Sequence, residues 1–131
     1  MTLQQAFDRM VAHLANQKHR CATDGTCVYR GPNGTKCVVG AMISDETAAL
    51  INKVGQLKST AIGSGEVWAL AKAELALEDL EESKAKSFYV EMQAVHDKSC
   101  HLGDVLIGLG RIATNYKLDP ALVSTITSWS R

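Results

Sequence analysis

Apolar residues recur at three- and four-residue steps through most of the chain, the mark of helices that each bury one stripe. Leu3, Phe7, Met10, Val11 and Leu14 form the clearest stripe. Thr2 stands before it as N-cap with Gln5 three residues on, a capping box in which each side chain satisfies the other's free amide. The pattern turns polar and basic from Asn16 to His19, where this helix is expected to end. Ala48, Leu50, Ile51, Val54 and Leu57 give a second stripe. Ser44 opens it as N-cap, with Asp45 and Glu46 in the first turn, where the helix dipole favours acids. Ser59 to Gly65 is small and glycine-containing, the best candidate for a mobile loop.

From Glu66 to Lys98 there is neither proline nor glycine. Leu70, Ala73, Leu77 and Leu80 mark one stripe; Phe88, Met92 and Val95 mark another, with the acidic run 78–82 between them. One long helix and two with a corner near Ser83 both fit, and two suit a compact domain better. Leu102, Val105, Leu106, Leu109, Ile112 and Tyr116 predict a further helix. Asp119-Pro120 predicts a last one, an N-cap followed by proline, with Leu122, Ile126 and Trp129 facing inward.

The exception to helical periodicity lies near the N-terminus. Ala22-Thr23-Asp24-Gly25 reads as a turn. Cys27-Val28-Tyr29-Arg30 and Thr35-Lys36-Cys37-Val38-Val39 are short β-prone runs around Gly31-Pro32-Asn33-Gly34. Proline presets the dihedral of the second turn position, and a glycine after asparagine takes positive φ readily. A type I turn with Gly34 left-handed is expected, which sets Tyr29 against Cys37 and Arg30 against Lys36. The expected fold is therefore α+β but predominantly helical: five or six helices packed with one β-hairpin at about residues 27–39, in one domain over 1–131.

Composition narrows the function classes. The 131 residues suffice for a buried core, and 46% hydrophobic with 21% charged residues is the balance of a globular chain. Lysine plus arginine equals aspartate plus glutamate at 14 each, so no global field draws the protein to nucleic acid or to a membrane surface. The longest uninterrupted non-polar stretch, Cys37 to Ile43, is far short of a bilayer span. The first residues lack a basic region followed by a greasy one, so a cytoplasmic protein with reduced thiols is expected.

Three constellations could carry chemistry. His19, Cys21, Cys27 and Cys37 are the one candidate metal set, but their gaps do not match the paired knuckles of structural zinc, and no metal or cofactor is expected. A Cys27–Cys37 disulfide is disfavoured, since the expected register puts the pair on a diagonal. Cys37 precedes a helix start, and His96-Asp97 could supply a base and its orienter, giving a Cys–His hydrolase or transferase as an alternative reading. Gly108-Leu109-Gly110-Arg111-Ile112-Ala113 spells a dinucleotide fingerprint, but no strand carrying an acid follows it. Its glycines are better explained by two helices approaching closely. The hairpin carries the leading site. Tyr29, Arg30, Asn33 and Lys36 are the expected binding residues, with Arg30 and Lys36 projecting from a ribbon stiffened by Pro32-Asn33.

The run from Cys27 to Gly40, followed by Ile43-Ser44-Asp45-Glu46, resembles a group of small proteins of tailed bacteriophages and prophages that share a YRGPxGxKCxVG core and an I-x-DE helix start. Met92-Gln93-Ala94-Val95-His96-Asp97 and the run from Ile112 to Leu118 are similar to later segments of that group. The likeness is tight between Cys27 and Glu46 and absent between Thr47 and Ala69. The group has no assigned activity, so no catalytic residue is carried over. The resemblance implies a phage or prophage origin and an intracellular protein. With it, the expected function is a non-enzymatic accessory protein that binds a host protein, for host takeover or against defence. Sequestration of a small anionic, nucleotide-like ligand by a homo-oligomer is the alternative.

Overall fold

The computed structural model describes residues 1–23, 26–55 and 61–131. Among them the chain forms five α-helices: α1 (Leu3–Gln17), α2 (Asp45–Gly55), α3 (Gly65–Leu75), α4 (Glu82–Lys98) and α5 (Leu102–Asn115). The pairs α4–α5 and α2–α3 pack most closely, and the C-terminal segment lies over α1 and α5. No described helix is long and apolar enough to cross a membrane.

Helix α1 follows its sequence pattern. Leu3, Phe7, Met10, Val11 and Leu14 are all buried, the Thr2–Gln5 capping box forms, and the helix closes at Lys18 with φ of 66°. The acidic stretch between α3 and α4 folds back onto its start. Asp79 Oδ1 accepts from Leu3 N at 2.9 Å, and Glu78 lies 3.1 Å from the terminal ammonium. Carboxylates there complement the positive end of the helix dipole. Ser44 caps α2 through Thr47 N as expected, and Glu74 from α3 accepts from Ser44 N at 2.8 Å. In α2 Ala48 and Ile51 are buried, whereas Leu50 is exposed; Leu57 lies outside the described residues, as do Ser59 and Thr60 of the expected loop, whose described part at 61–64 is a turn with Ile62 buried.

The stretch from Glu66 to Lys98 is two helices, with the break at residues 76–81, just before Ser83. The buried face of α3 is Val67, Trp68, Ala71 and Leu75, so Leu77 and Leu80 belong to the connection and not to its stripe. In α5 a Cβ on Gly108 would come within 2.9 Å of Val95 Cγ2. That glycine is what lets α4 and α5 close together, and the apparent dinucleotide fingerprint is simply helical. The expected last helix does not form. Ala121–Thr125 makes one 3-10 turn, and the rest is an extended strap whose Ile126 and Trp129 are buried while Leu122 is exposed. Val123-Ser124-Thr125-Ile126-Thr127 is rich in β-branched and hydroxyl residues, which favour helices poorly.

The β-hairpin over residues 27–39 is also absent, and the class is helical. Among the described residues extended pairing is confined to a two-residue ladder, Ala22–Thr23 on Thr26–Cys27, and single bridges at Arg30–Lys36 and His19–Ser130. The turn itself is real. Asn33 and Gly34 have φ of 58° and 74°, and Thr35 N donates to Pro32 O at 3.2 Å. Two successive positive φ values make it a primed turn on Asn-Gly rather than the expected type I turn. The flanks cannot continue as a ribbon because Cys37, Val38 and Val39 are all buried. Three consecutive inward residues defeat the alternation a two-stranded ribbon needs. The chain instead curls into a 3-10 turn at Gly40–Met42.

Gly40 is the tightest point of that curl, since a Cβ there would stand 2.4 Å from Tyr29 O. The obstacle is backbone and cannot rotate away. Gly40→Ala is expected to cost about 2 kcal/mol of stability, read as a lower urea midpoint with unchanged slope.

Candidate functional site

Most of the residues singled out in the sequence lie on the described parts of the segment between α1 and α2, 18–23 and 26–44, or on the end of α4. Arg30 does not project into solvent. Its Nη1 donates to Tyr29 O (3.1 Å) and Gly40 O (2.6 Å), Nη2 to Ile43 O (2.9 Å), and Nε to Asp45 Oδ1 (2.9 Å). The planar fork of the guanidinium thus ties the turn to the start of α2. The hydrogen bond from Arg30 holds the Asp45 carboxyl below the usual carboxylate range. Tyr29 is buried, and desolvation pushes its phenol upward. Of the four expected binding residues, Tyr29 is therefore buried, and Arg30, half-buried, spends its donors within the protein. Asn33 is exposed at the tip and Lys36 is half-buried beside it.

Lys36 is held by its backbone. Gln17 at the end of α1 accepts from Lys36 N at 2.8 Å and donates to Lys36 O at 2.9 Å, so one amide side chain mimics a partner strand. His13, one turn earlier, donates from Nε2 to the same carbonyl at 2.8 Å. Burial lowers the His13 pKa from its usual 6.5. On the far side, Val39 N donates to Gln93 Oε1 at 3.2 Å. Gln17, His13 and Gln93 escaped the sequence reading. The signal was present as polar residues at helical spacing beside an apolar stripe, His13 and Gln17 on α1 and Gln93, His96 and Asp97 on α4.

His96 and Asp97 are hydrogen-bonded to each other, but they do not stand to Cys37 as a base and its orienter. His96 is fully buried, and its Nε2 accepts from Cys21 N at 2.9 Å. A backbone amide only donates, so Nε2 is unprotonated and Nδ1 carries the hydrogen, which it gives to Asp97 Oδ1 at 2.7 Å. Gln93 Nε2 donates to the same oxygen at 2.7 Å. Trp129 closes the ring edge-on at 5.8 Å. Both imidazole nitrogens are thus committed. The Cys37 thiol accepts from Gly40 N at 3.2 Å, and burial pushes its pKa up to about 12. A thiol so shielded is not a nucleophile at neutral pH.

The candidate metal set is described only in part. His19 is exposed in the bridge to Ser130, Cys21 and Cys37 are buried, and the Cys27 side chain lies outside the described atoms. Among the described residues no three His, Cys, Asp or Glu side chains come together to hold a metal ion. Cys21 packs under the turn, where a Cβ on Gly31 would come within 2.7 Å of its sulfur. Arg20 lies beside it with a buried Nε that finds no hydrogen-bond partner among the described residues. No family model, curated protein or solved structure matches the chain.

This geometry makes Arg30 a structural clamp whose fork no other side chain reproduces. Arg30→Lys is expected to lose about 2 kcal/mol, measured by chemical denaturation. The thiols should separate by exposure. With a maleimide at neutral pH, exposed Cys100 reacts in the folded protein, and Cys37 reacts only after unfolding. The sign for His13 follows from its lowered pKa: the fold disfavours the charged ring, so stability falls as pH drops below about 6.5. His13→Gln keeps the bond to Lys36 O, and should flatten the difference between midpoints taken at about pH 7.5 and pH 5.5.

Proposed function

We propose that the chain works non-enzymatically, as a phage-type accessory protein that binds a host protein in the host cytoplasm through the turn at residues 31–36. The observation that carries the reading is the way this turn is mounted. Pro32, Asn33 and Gly34 are exposed, yet both feet of the turn are fixed. Arg30 makes four hydrogen bonds at one foot, and the Lys36 backbone makes three with Gln17 and His13 at the other. An exposed loop that is already ordered loses little entropy on binding, which is the usual advantage of a preformed recognition element. The resemblance of residues 27–46 to phage and prophage proteins supports a host partner. A small anion finds less support, because Arg30 is spent on carbonyls and Tyr29 is buried, which leaves Lys36 alone to meet it.

The test keeps the clamp intact and alters only the tip. Immobilised wild type, Asn33→Asp and Lys36→Glu are each exposed to host lysate, after equal thermal midpoints have shown that all three fold. Asparagine and aspartate both tolerate the left-handed conformation, so the first substitution changes charge without strain. A protein retained by wild type should fall about tenfold with Lys36→Glu, the loss expected when a rim charge is reversed. Equal recovery on all three surfaces would overturn the reading.

A further inference from the structure

The outer face of α5 carries a second surface. Gly103, Ile107, Gly110 and Thr114 fall within about 60° of one another around the helix. Ile107 is 58% exposed, the most of any large apolar side chain described. A Cβ on Gly103 or Gly110 would meet nothing within 4 Å, so these glycines serve no contact inside the described fold. On one flank of this face stand Asp104 and Arg111, both exposed. Among the described residues Arg111 makes no hydrogen bond or ion pair. Asp104 uses only Oδ2 to cap the helix, at 3.1 Å from both Cys100 N and His101 N.

We infer that this face pairs with itself, α5 against α5 of a second copy, antiparallel about a two-fold axis beside Ile107. The charges choose that occupant. Asp104 and Arg111 are seven residues apart, about two helical turns, so both project on the same side. A two-fold axis perpendicular to two antiparallel helices keeps each flank on its own side and reverses the direction along the helix. An axis midway between Asp104 and Arg111 therefore brings Asp104 of each copy level with Arg111 of the other, giving two ion pairs from one surface. This self-complementarity is what an isologous contact requires. Ile107 then sits at the centre of the seam, close to its own equivalent and to Gly110 of the second copy, where the missing Cβ lets the helices approach. A contact of one helix face lies at the small end of specific interfaces. The dimer is accordingly weak, with Kd on the order of 10–100 µM, and weakened by salt that screens the rim pairs.

Sedimentation equilibrium over a concentration series tests this on the full chain. Wild type should show a monomer–dimer equilibrium at low ionic strength. Ile107→Glu should be monomeric throughout. Arg111→Glu places like charges opposite each other at both pairs and should weaken association about tenfold or more. Asp104→Lys added to Arg111→Glu swaps the signs, and should restore association despite losing the α5 cap. Thermal midpoints above the working temperature for every variant exclude unfolding as the cause. A wild type that stays monomeric at the highest concentration overturns the inference. So does association that ignores Arg111→Glu, or a double variant no better than the single one.

Discussion

The described residues between α1 and α2, 18–23 and 26–44, bury Cys21, Tyr29 and 37–40 with hardly any ladder of their own, and every buried polar group of their backbone still needs a partner. Helices and sheets satisfy themselves; a buried irregular segment must borrow from side chains. Here the lenders are few and specific. Gln17 and His13 serve Lys36, Arg30 serves the carbonyls of Tyr29, Gly40 and Ile43, Gln93 serves Val39, and His96 serves Cys21. Each failure would leave a buried group unsatisfied at roughly 1–3 kcal/mol. Because the lenders sit on α1, α4 and the segment itself, these bonds also fix how α1 and α4 stand relative to one another. The strap adds to this, since Ser130 pairs with the backbone on both sides of His19 while Trp129 covers His96.

The helices were legible where apolar spacing and caps agreed, as in α1 with its capping box and in α2 with Ser44. Reading failed where spacing alone carried the inference. Leu77 and Leu80 continue the period of α3, yet the chain has already left the helix at Ala76 to bring Glu78 and Asp79 over α1. The turn at Asn33-Gly34 was legible because few residues accept positive φ. Its flanks were not, because a run such as Cys37-Val38-Val39 looks the same whether it alternates at the edge of a ribbon or is buried on all sides. What decided was the presence of Gln17 and Gln93 at the right distance, a tertiary fact.

The same ambiguity governs the site. Arg30, Cys37, His96 and Asp97 are residue types that do chemistry, and the sequence showed that they were present and near one another in part. It could not show that the guanidinium would spend its donors on main-chain carbonyls, or that a backbone amide would occupy His96 Nε2. Buried polar side chains are more often structural partners than reagents for this reason: the interior offers them obligatory work. Their identity is then constrained as tightly as a catalytic group's would be, which is how a structural network imitates an active site in sequence.

The tip of the turn inverts that relation. Pro32, Asn33 and Gly34 make few contacts of their own and could not hold two successive left-handed residues by packing. The conformation persists because the feet are immobile: Thr35 closes the turn onto Pro32 through both its amide and its hydroxyl, and Gly31 N donates to Thr35 O at 2.9 Å. Beneath them lie the Arg30 fork and the Gln17 amide. Rigidity at the exposed end thus rests largely on bonds beneath it. Under the proposed function, a partner that met the tip would meet a shape set by the core, and changes to the tip side chains would alter recognition without drawing on the stability of the fold.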